Sequence, residues 1–396
     1  MFYNEELIFK TGGRSNYRIP SMIVTNKGTV MAFCNDRKDT VSDHSEVVSL
    51  VLMLKKPGEP WGEEITLAGL EGWNCGIGSA VYDNEIGRAF IVGSRSSVTK
   101  KEFANYSEEE MAAMQKKAED EAARLGIRLG RFIMHSDDEG ETWVEEPYSV
   151  EETEFTHWDG TVCMIGGGVH GAAHGIQLKH GGHKGRLLCP ARMNVKKYND
   201  MHGLRRHSYN NAVYSDDHGV TWKASLPVQV GTGEGTLIEN ADGSITYNSR
   251  AYFKDGLRYI ATSTDGGMSY GDFRTDSFLR EEINIGCNAS FIRVEREELL
   301  DTSLLPEGCD GVTVFCNPRA ETRRNMTACI SFDGGETWSK TKTIHAGPAA
   351  YSSLVFSPVD QHFHLIYEKG DDAKGANPCT LGIAAAEFDL EWLLSE

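Results

Sequence analysis

The chain has 396 residues, of which 40% are hydrophobic and 25% are charged, and its formal net charge is −18. This composition predicts a soluble globular protein, and so acidic a surface would repel nucleic acids and anionic membranes. The longest apolar runs, such as residues 47–54, have the length of a β-strand, so we expect no membrane span and no nucleic-acid partner.

The beginning of the chain and its cysteines bear on the cellular compartment. Residues 1–7 lack the basic segment and apolar core of a secretory signal peptide. The nine cysteines are scattered and none forms a Cys-x-x-Cys pair, which favours buried thiols in a reducing compartment over a zinc or redox motif. We therefore expect a cytoplasmic protein, or a secreted or periplasmic one if a leader was removed.

Short β-rich runs broken by Gly, Asn and Asp fill most of the chain. They lie at 19–34, 46–54, 78–95, 131–135, 211–215, 244–252 and 312–316. One segment differs, because Ser107 and Glu110 form a capping box before a helix predicted to run to about Leu125. Its apolar stripe predicts an insertion, over about 107–125, that packs on the side of the β-structure; a lid or an oligomer contact are the alternatives.

An eight-residue pattern, Ser-x-Asp-x-Gly-x-Thr/Ser-aromatic, returns along the chain. The copies are residues 136–143, 215–222, 263–270 and 331–338, with an eroded copy at 56–61. Asp and Gly supply turn chemistry, and the closing aromatic ring can pack beneath the turn. Such recurrence indicates a repeated supersecondary unit. We expect an all-β fold, a six-bladed β-propeller that forms one domain over residues 1–396 with the inserted helix.

Arg18, Ile19 and Pro20 stand where the first long strand begins. This Arg-Ile-Pro triplet and the repeated octapeptides, called Asp boxes, resemble the sialidase (neuraminidase) family over about residues 10–370. The resemblance implies a six-bladed propeller that acts on sialylated glycans as a retaining exo-α-sialidase, a glycoside hydrolase. It implies no cofactor and no metal, and it leaves the oligomeric state open.

The resemblance also implies three arginines that bind the substrate carboxylate by charge-assisted hydrogen bonds. Arg18 matches the first, and Arg250, at the end of an Asp-Gly…Asn-Ser-Arg segment, matches the second. Arg324 is the predicted third, with Arg323 as the alternative because neighbouring side chains of a strand point to opposite faces. By the same resemblance, Arg37 contacts the sugar near its C4 hydroxyl group and Glu368 orients Arg18. These are the expected substrate-binding residues.

The nucleophile of this family is a tyrosine, which matches Tyr351 in a Tyr-Ser-x-Leu element. A neutral phenol avoids the repulsion that a carboxylate would meet at a carbon already bearing a carboxylate. Because a phenol has a pKa near 10, it needs a base beside it, and Glu234 matches the family's glutamate. Glu239 is the competing carboxylate, but it adjoins a turn and is expected to be solvated.

The acid/base catalyst requires a carboxyl group on a partly exposed loop. Asp43 matches the aspartate of the family, and the expected catalytic residues are therefore Asp43, Glu234 and Tyr351. Asp36 lies too close to the strand to compete, and Asp39 lacks the strand entry that follows Asp43.

Four histidines crowd residues 166–184: His170, His174, His180 and His183. Their spacing is not that of a metalloprotease, so we expect no metal, with a contact to the glycan as the alternative role of His174. Two other functions stay open at this point. One is a trans-sialidase, an anhydro-forming sialidase or a hydrolase of a related nonulosonic acid; the other is a non-catalytic glycan-binding propeller.

Overall fold

The computed structural model describes residues 1–43, 45, 47–96, 107–166, 174–194, 207–375 and 377–396, without the side chains of Glu108 and Asn194. The protein is all-β, as predicted. Its two described α-helices are α1 (Glu108–Leu125) and α2 (Leu390–Leu394), and three-residue 3-10 turns lie at Gly181–His183, Arg296–Glu298 and Asp372–Lys374.

The first thirteen strands lie before the second complete Asp box. They are β1 (Tyr3–Lys10), β2 (Ser15–Val24), β3 (Val30–Lys38), β4 (Val48–Lys55), β5 (Ile65–Ala68), β6 (Asn74–Asp83), β7 (Arg88–Ser96), β8 (Gly130–Ser136), β9 (Val144–Pro147), β10 (Val150–Glu151), β11 (Thr153–Thr156), β12 (Val162–Ile165) and β13 (Ile176–Gln177). The remaining strands are β14 (Leu187–Asn194), β15 (Ser208–Ser215), β16 (Trp222–Ala224), β17 (Thr232–Glu239), β18 (Ile245–Ala251), β19 (Leu257–Ser263), β20 (Gly271–Arg280), β21 (Ser290–Glu295), β22 (Gly311–Pro318), β23 (Arg324–Ser331), β24 (Lys340–Ser357), β25 (His362–Lys369) and β26 (Gly382–Asp389).

These strands form antiparallel meanders that follow one another along the chain. The meanders are β2 to β5, β6 to β9, β13 to β16, β17 to β20, β21 to β24, and β24 to β26 with β1. The long strand β24 takes part in two of them, because its first half pairs with β23 and its second half with β25. Strand β1 pairs with β26, so the beginning of the chain completes the sheet formed by its end.

The strands on one edge of each meander contact one another in a cyclic order. Strand β2 contacts β6, β6 contacts β13 and β14, β14 contacts β17, and β17 contacts β21. Strand β21 contacts β24, and β24 in turn contacts β2. Apolar clusters fill the spaces between neighbouring meanders, for example Met31 and Phe33 of the first against Ile91 and Phe132 of the second. Each such fully buried side chain contributes about 1.5–3 kcal/mol of hydrophobic stabilisation.

The Asp boxes form turns held by local hydrogen bonds, as the pattern predicts. In the first box, Ser136 Oγ accepts from the Gly140 amide at 2.9 Å and Asp138 Oδ1 accepts from the Thr142 amide at 2.9 Å. The Trp143 indole closes the turn by donating to the Gly140 carbonyl at 2.9 Å. Gly140 has φ 88°, a conformation that glycine adopts without strain.

Helix α1 has the bounds and the capping box that the sequence predicts. Ser107 caps it and Gly126 ends it in the left-handed conformation. Ala118 and Ala122 are buried, and Ala122 belongs to the same cluster as Phe132, so the insertion packs beside the second meander. Among the helices that the structure describes, none is long and apolar enough to cross a membrane.

Candidate active site

Five of the residues singled out by the sequence meet at one end of the meanders. Arg18 lies in β2, Glu234 in β17, Arg250 in β18, Tyr351 in β24 and Glu368 in β25. Their meeting requires segments that are far apart in the chain, since Arg18 and Glu368 are separated by 350 positions.

A tyrosine, a glutamate and an arginine form the floor of the site; we call Tyr351, Glu234 and Arg250 the floor group. Tyr351 Oη donates to Glu234 Oε1 at 2.7 Å and accepts from Arg250 Nη1 at 2.7 Å. Arg250 also pairs with Glu234 Oε2. Burial raises the pKa of Tyr351, Glu234 raises it further, and Arg250 opposes the rise. The phenol is therefore protonated at neutral pH, and its proton already points at a carboxylate.

Arg18 is held in place by a carboxylate that is completely buried. Glu368 accepts from Arg18 Nε at 2.7 Å and from Arg18 Nη2 at 3.2 Å, in a bidentate pair. It also accepts from the amides of Ile19 at 2.9 Å and Tyr351 at 3.3 Å. Burial alone would raise the pKa of Glu368, but Arg18 and the Ile19 amide outweigh it and lower the pKa. The carboxylate is thus ionised and fixes the direction of the guanidinium group.

The Arg-Ile-Pro triplet is strained where it turns towards this carboxylate. Ile19 has φ 62°, an uncommon conformation for a β-branched residue. The pairing of β2 with β3 is irregular between Arg18 and Ser21. Strain of this kind costs about 1–3 kcal/mol and persists only when the surrounding contacts impose it. Here those contacts are the bonds of Arg18 and Ile19 to Glu368.

The third arginine beside the tyrosine is Arg323, which corrects the expectation of Arg324. The Arg324 side chain is 47% exposed and pairs with Asp372 at 3.3 Å, away from the floor group. Arg323 instead places its guanidinium 5.4 Å from the centre of the Tyr351 ring. Arg18 and Arg250 lie at 5.5 Å and 5.8 Å from the same point. Arg18, Arg250 and Arg323 therefore surround one phenol ring, and we call them the arginine cluster.

The loop between β20 and β21 supports two members of the arginine cluster. Arg250 Nε donates to the carbonyl of Ile285 at 2.7 Å, and Arg323 Nη2 donates to the carbonyl of Gly286 at 3.2 Å. Gly286 has φ 63°, and a Cβ atom there would lie 2.9 Å from Arg250 Cγ, so only glycine allows this approach.

The loop itself is fixed by an ion pair that the sequence reasoning missed. Arg258 is fully buried, donates to Glu281 Oε2 at 2.6 Å and donates to the carbonyl of Cys287 at 2.8 Å. No motif marks these residues, and the only sequence signal is the unusual presence of charges beside apolar strands.

Asp43 and Arg37 lie at the entrance to the site, and we call them the entrance group. Arg37 Nη1 lies 2.8 Å from Asp43 Oδ1, and Arg18 Nη1 lies 3.9 Å from the same atom. The Arg37 side chain is buried, whereas that of Asp43 is 75% exposed. Partial desolvation raises the pKa of Asp43, but the charges of Arg37 and Arg18 are stronger and lower it overall.

The competing aspartates do not reach the arginine cluster. Asp36 is buried in β3, pairs with Lys38 and accepts from Ser15 Oγ at 3.0 Å. Asp39 is exposed and pairs with Arg14 at 2.9 Å. Of the three aspartates, only Asp43 contacts Arg18 and Arg37.

Glu239 lies at the far end of β17, and His174 lies just before β13. They line a cavity of about 480 Å³ together with the far ends of β2, β17 and β24. Glu239 lies about 16 Å along β17 from Glu234. It is buried, contrary to the expectation that it is solvated, and accepts from the amides of Lys179 at 2.6 Å and His180 at 3.1 Å. Burial lowers the pKa of His174 to about 4. His170 lies outside the described residues.

The sequence of the chain matches a known family. Residues 111–364 match the model of the BNR repeat-like domain. The chain belongs to this family. It is also a homologue of the sialidases, which confirms the resemblance seen in the Arg-Ile-Pro triplet and the Asp boxes.

Individual relatives agree with this assignment. A sialidase of Micromonospora viridifaciens is 30% identical over 400 residues, which cover 99% of this chain and 54% of that protein. Sialidase-2 of Mus musculus is 27% identical and covers 88% of this chain and 86% of its own length. The chain thus spans about half the length of the Micromonospora sialidase.

One solved structure supports the fold along the whole chain. The intramolecular trans-sialidase from Ruminococcus gnavus superposes with a TM-score of 0.67 at 16% identity, covering 98% of both chains. At this level of identity the likeness concerns the fold.

Proposed function

We propose that the protein is a retaining exo-α-sialidase that releases terminal sialic acid from glycans. The observation that carries the proposal is the hydrogen bond of 2.7 Å from Tyr351 Oη to Glu234 Oε1, inside a cluster of three arginines. A protein that only binds glycans has no need of a buried phenol directed at a carboxylate.

The arginine cluster would bind the carboxylate of sialic acid. Three guanidinium groups carry three positive charges, and the buried carboxylates Glu368 and Glu234 offset two of them. An anionic substrate would restore the balance and gain short, charge-assisted hydrogen bonds. Because Glu368 and the carbonyls of Ile285 and Gly286 already orient the guanidinium groups, little reorganisation is needed on binding.

In the first chemical step, Tyr351 Oη would attack the anomeric carbon while Glu234 takes the phenolic proton. The glycosidic carbon–oxygen bond breaks, and Asp43 gives its proton to the leaving oxygen. In the second step, water attacks the same carbon and Asp43 takes a proton from it. The tyrosyl oxygen then leaves and regains its proton from Glu234. Two displacements at one carbon retain its configuration.

The lowered pKa of Asp43 has a consequence for this cycle. In the free protein the positive charges of Arg37 and Arg18 favour the ionised form of Asp43. A substrate carboxylate on the arginine cluster would neutralise part of that field and raise the pKa of Asp43. Binding would therefore favour the protonated acid that the first step requires.

We further propose that the meanders close into a six-bladed propeller. The cyclic contacts from β2 through β6, β14, β17 and β21 to β24, and back to β2, support this arrangement. The pairing of β1 with β26 supplies the joint at which the last blade would close. Active-site residues near one end of β2, β17 and β24 would then face the axis.

The test is turnover of a fluorogenic aryl sialoside and of sialyllactose by Tyr351→Phe and Asp43→Ala. We expect each variant to lose about a hundredfold to ten-thousandfold in kcat while its circular dichroism stays native. Asp43→Ala should lose less on the aryl substrate, because a phenolic leaving group needs less protonation. Tyr259→Phe is the matched control, since Tyr259 also donates to a carboxylate, Asp255, at 2.6 Å but lies outside the site.

Product analysis tests the mechanism separately. Proton NMR of the first sugar released should show the α-anomer of free sialic acid. Release of the β-anomer would refute retention, and an anhydro or transferred product would replace hydrolysis by one of the alternative reactions. Unchanged turnover of the aryl sialoside in both active-site variants would refute the assignment of the site.

A further inference from the structure

Three potential metal ligands converge away from the active site, in the sheet where the two ends of the chain meet. Asp360 lies in the turn between β24 and β25, His364 lies in β25 and Glu387 lies in β26. His364 and Glu387 are direct partners across the two antiparallel strands, so their side chains share one face of the sheet. Asp360 reaches the same face from the turn.

The geometry of these groups is compact. Asp360 Oδ2 lies 3.3 Å from His364 Nε2. One ligand atom from each of Asp360, His364 and Glu387 lies within 4.8 Å of the other two. The side chains are 22%, 3% and 17% exposed, respectively. The imidazole is therefore almost fully withdrawn from water, and the two carboxylates are mostly so.

A small cavity adjoins two of the three groups. It has a volume of about 10 Å³ and is lined by His364 and Glu387 together with Asn4, Glu6 and Trp61, among others. That volume is close to the least that holds one water-sized particle. Space for about one water molecule therefore adjoins His364 and Glu387, although Asp360 does not line it.

We propose that Asp360, His364 and Glu387 bind a single divalent transition-metal ion, for which Zn²⁺ is the natural probe. Imidazole nitrogen and carboxylate oxygen are both ligands of Zn²⁺, and three protein ligands leave the fourth position of the ion for water. The Nδ1 atom of His362 lies 2.7 Å from Glu387 Oε1, so His362 can orient the Glu387 carboxylate without binding the ion itself. Unlike the four histidines at 166–184, this set is scarcely visible as a motif, because Glu387 is supplied by the next strand.

The site would be structural. His364 lies about 13 Å along β25 from Glu368, so the metal would not contact the substrate. It would join the β24–β25 turn to β26, and Glu387 is the partner of Asn4 in β1. The ion would therefore strengthen the sheet that is completed by the beginning of the chain.

One positive charge opposes metal binding. Lys55 Nζ, from β4, lies 3.4 Å from Glu387 Oε2. Its ammonium group already neutralises much of the negative charge of Glu387 that would attract a metal ion. A variant without Lys55 should therefore show whether this carboxylate can bind an ion. If the carboxylate serves only an ion pair, removal of Lys55 gives no gain in affinity for any ion.

The experiment titrates metal-free protein with Zn²⁺ by calorimetry and with Co²⁺ by visible absorption. We expect one equivalent bound, with at least about tenfold weaker binding in Asp360→Asn, His364→Gln and Glu387→Gln. Lys55→Met should bind more tightly than the wild type. His180→Gln is the matched control, because His180 pairs with Glu295 but belongs to no group of three ligands among the residues that the structure describes, and its binding should equal that of the wild type.

Thermal unfolding gives the second measurement. Zn²⁺ should raise the Tm of the wild type and of His180→Gln but not that of Glu387→Gln. If His364→Gln does not fold, Asp360→Asn and Glu387→Gln decide the result. The proposal is overturned if the wild type shows no saturable binding, or if both carboxylate variants bind within twofold of the wild type.

Discussion

The Asp-box turns and the active site both depend on ionised carboxylates, but they gather their partners over very different distances along the chain. Asp265 of the third box accepts from Ser263, Met268 and Ser269, all within four residues. Glu368 accepts from Arg18 and Ile19, which lie about as far away as the chain permits. A turn of the first kind forms locally, whereas the site forms only when the whole arrangement of strands is in place.

The two regions should therefore respond differently to substitution. Loss of a box carboxylate removes several local hydrogen bonds and should lower stability with little effect on chemistry. Loss of a group in the site removes contacts that orient the other side chains of the site, and no residue nearby in the sequence can replace these contacts.

Arg323→Ala compared with Arg324→Ala is the sharpest test of the arginine cluster. We expect the first to lower kcat/KM by about a hundredfold or more, because it removes a buried charge beside Tyr351. The second should stay within about threefold of the wild type, because an exposed ion pair contributes little. Steady-state kinetics with sialyllactose measures both. Equal losses in the two variants would contradict the placement of Arg323.

Glu368→Gln tests whether orientation of Arg18 matters in itself. The amide keeps the shape of the side chain but loses the charge that holds Arg18 in a bidentate pair. We expect kcat/KM to fall by about ten- to a hundredfold. Inhibition by a carboxylate-bearing substrate analogue should weaken in parallel, and an unchanged inhibition constant would argue against a positioning role.

Arg37→Met tests the entrance group through the pH dependence of kcat/KM. Arg37 is the strongest of the charges that lower the pKa of Asp43, so its removal should raise that pKa. Asp43 would then stay protonated to higher pH, and the limb of the profile where activity declines as pH rises should move to higher pH. Arg14→Met, which removes the exposed partner of Asp39, should leave the limb in place. A shift in the opposite direction would be incompatible with Asp43 as the acid.

Asp265→Ala is expected to have the smallest effect on activity. It removes hydrogen bonds from Ser263, Met268 and Ser269, and we expect a loss of about 1–3 kcal/mol in the free energy of unfolding. Turnover at 25 °C should equal that of the wild type. Denaturant unfolding measures the change in stability, and kinetics on the same preparation measures turnover. Lost turnover in a folded variant would show that the Asp box contributes to the chemistry as well as to stability.

The same difference explains what could be predicted from the sequence. The Asp boxes and helix α1 depend on contacts within a few residues, and their bounds follow from spacing and capping alone. Strand positions followed from short apolar runs between turn residues. The cyclic order of the strands involves contacts between distant segments, and it was expected from the recurrence of the Asp boxes and from the resemblance to a known family.

The one-residue error at the third arginine has a physical cause. The resemblance favoured Arg324, and strand alternation was expected only to separate it from Arg323. Arg323 lies in a bend just before β23, which begins at Arg324. Asn325 has φ 62°, and the pairing with β24 is irregular just beyond it, so the regular alternation of a strand does not extend to these two residues.

The buried support of the arginine cluster could not be predicted at all. Arg258, Glu281 and the carbonyls of Ile285 and Gly286 act through an irregular loop that carries no motif. Their importance follows from burial and from hydrogen-bond geometry, which a single sequence does not express.

The pairing of Arg18 with Glu368 also has a consequence for biosynthesis. Glu368, the carboxylate that orients Arg18, follows it by 350 positions and is therefore translated much later. A nascent chain that has not yet reached Glu368 would carry Arg18 without the group that fixes its direction. Correct placement of the arginine cluster would arise only after β25 has been made, so binding of an anionic probe to this cluster would report the completed arrangement of strands more faithfully than the content of secondary structure.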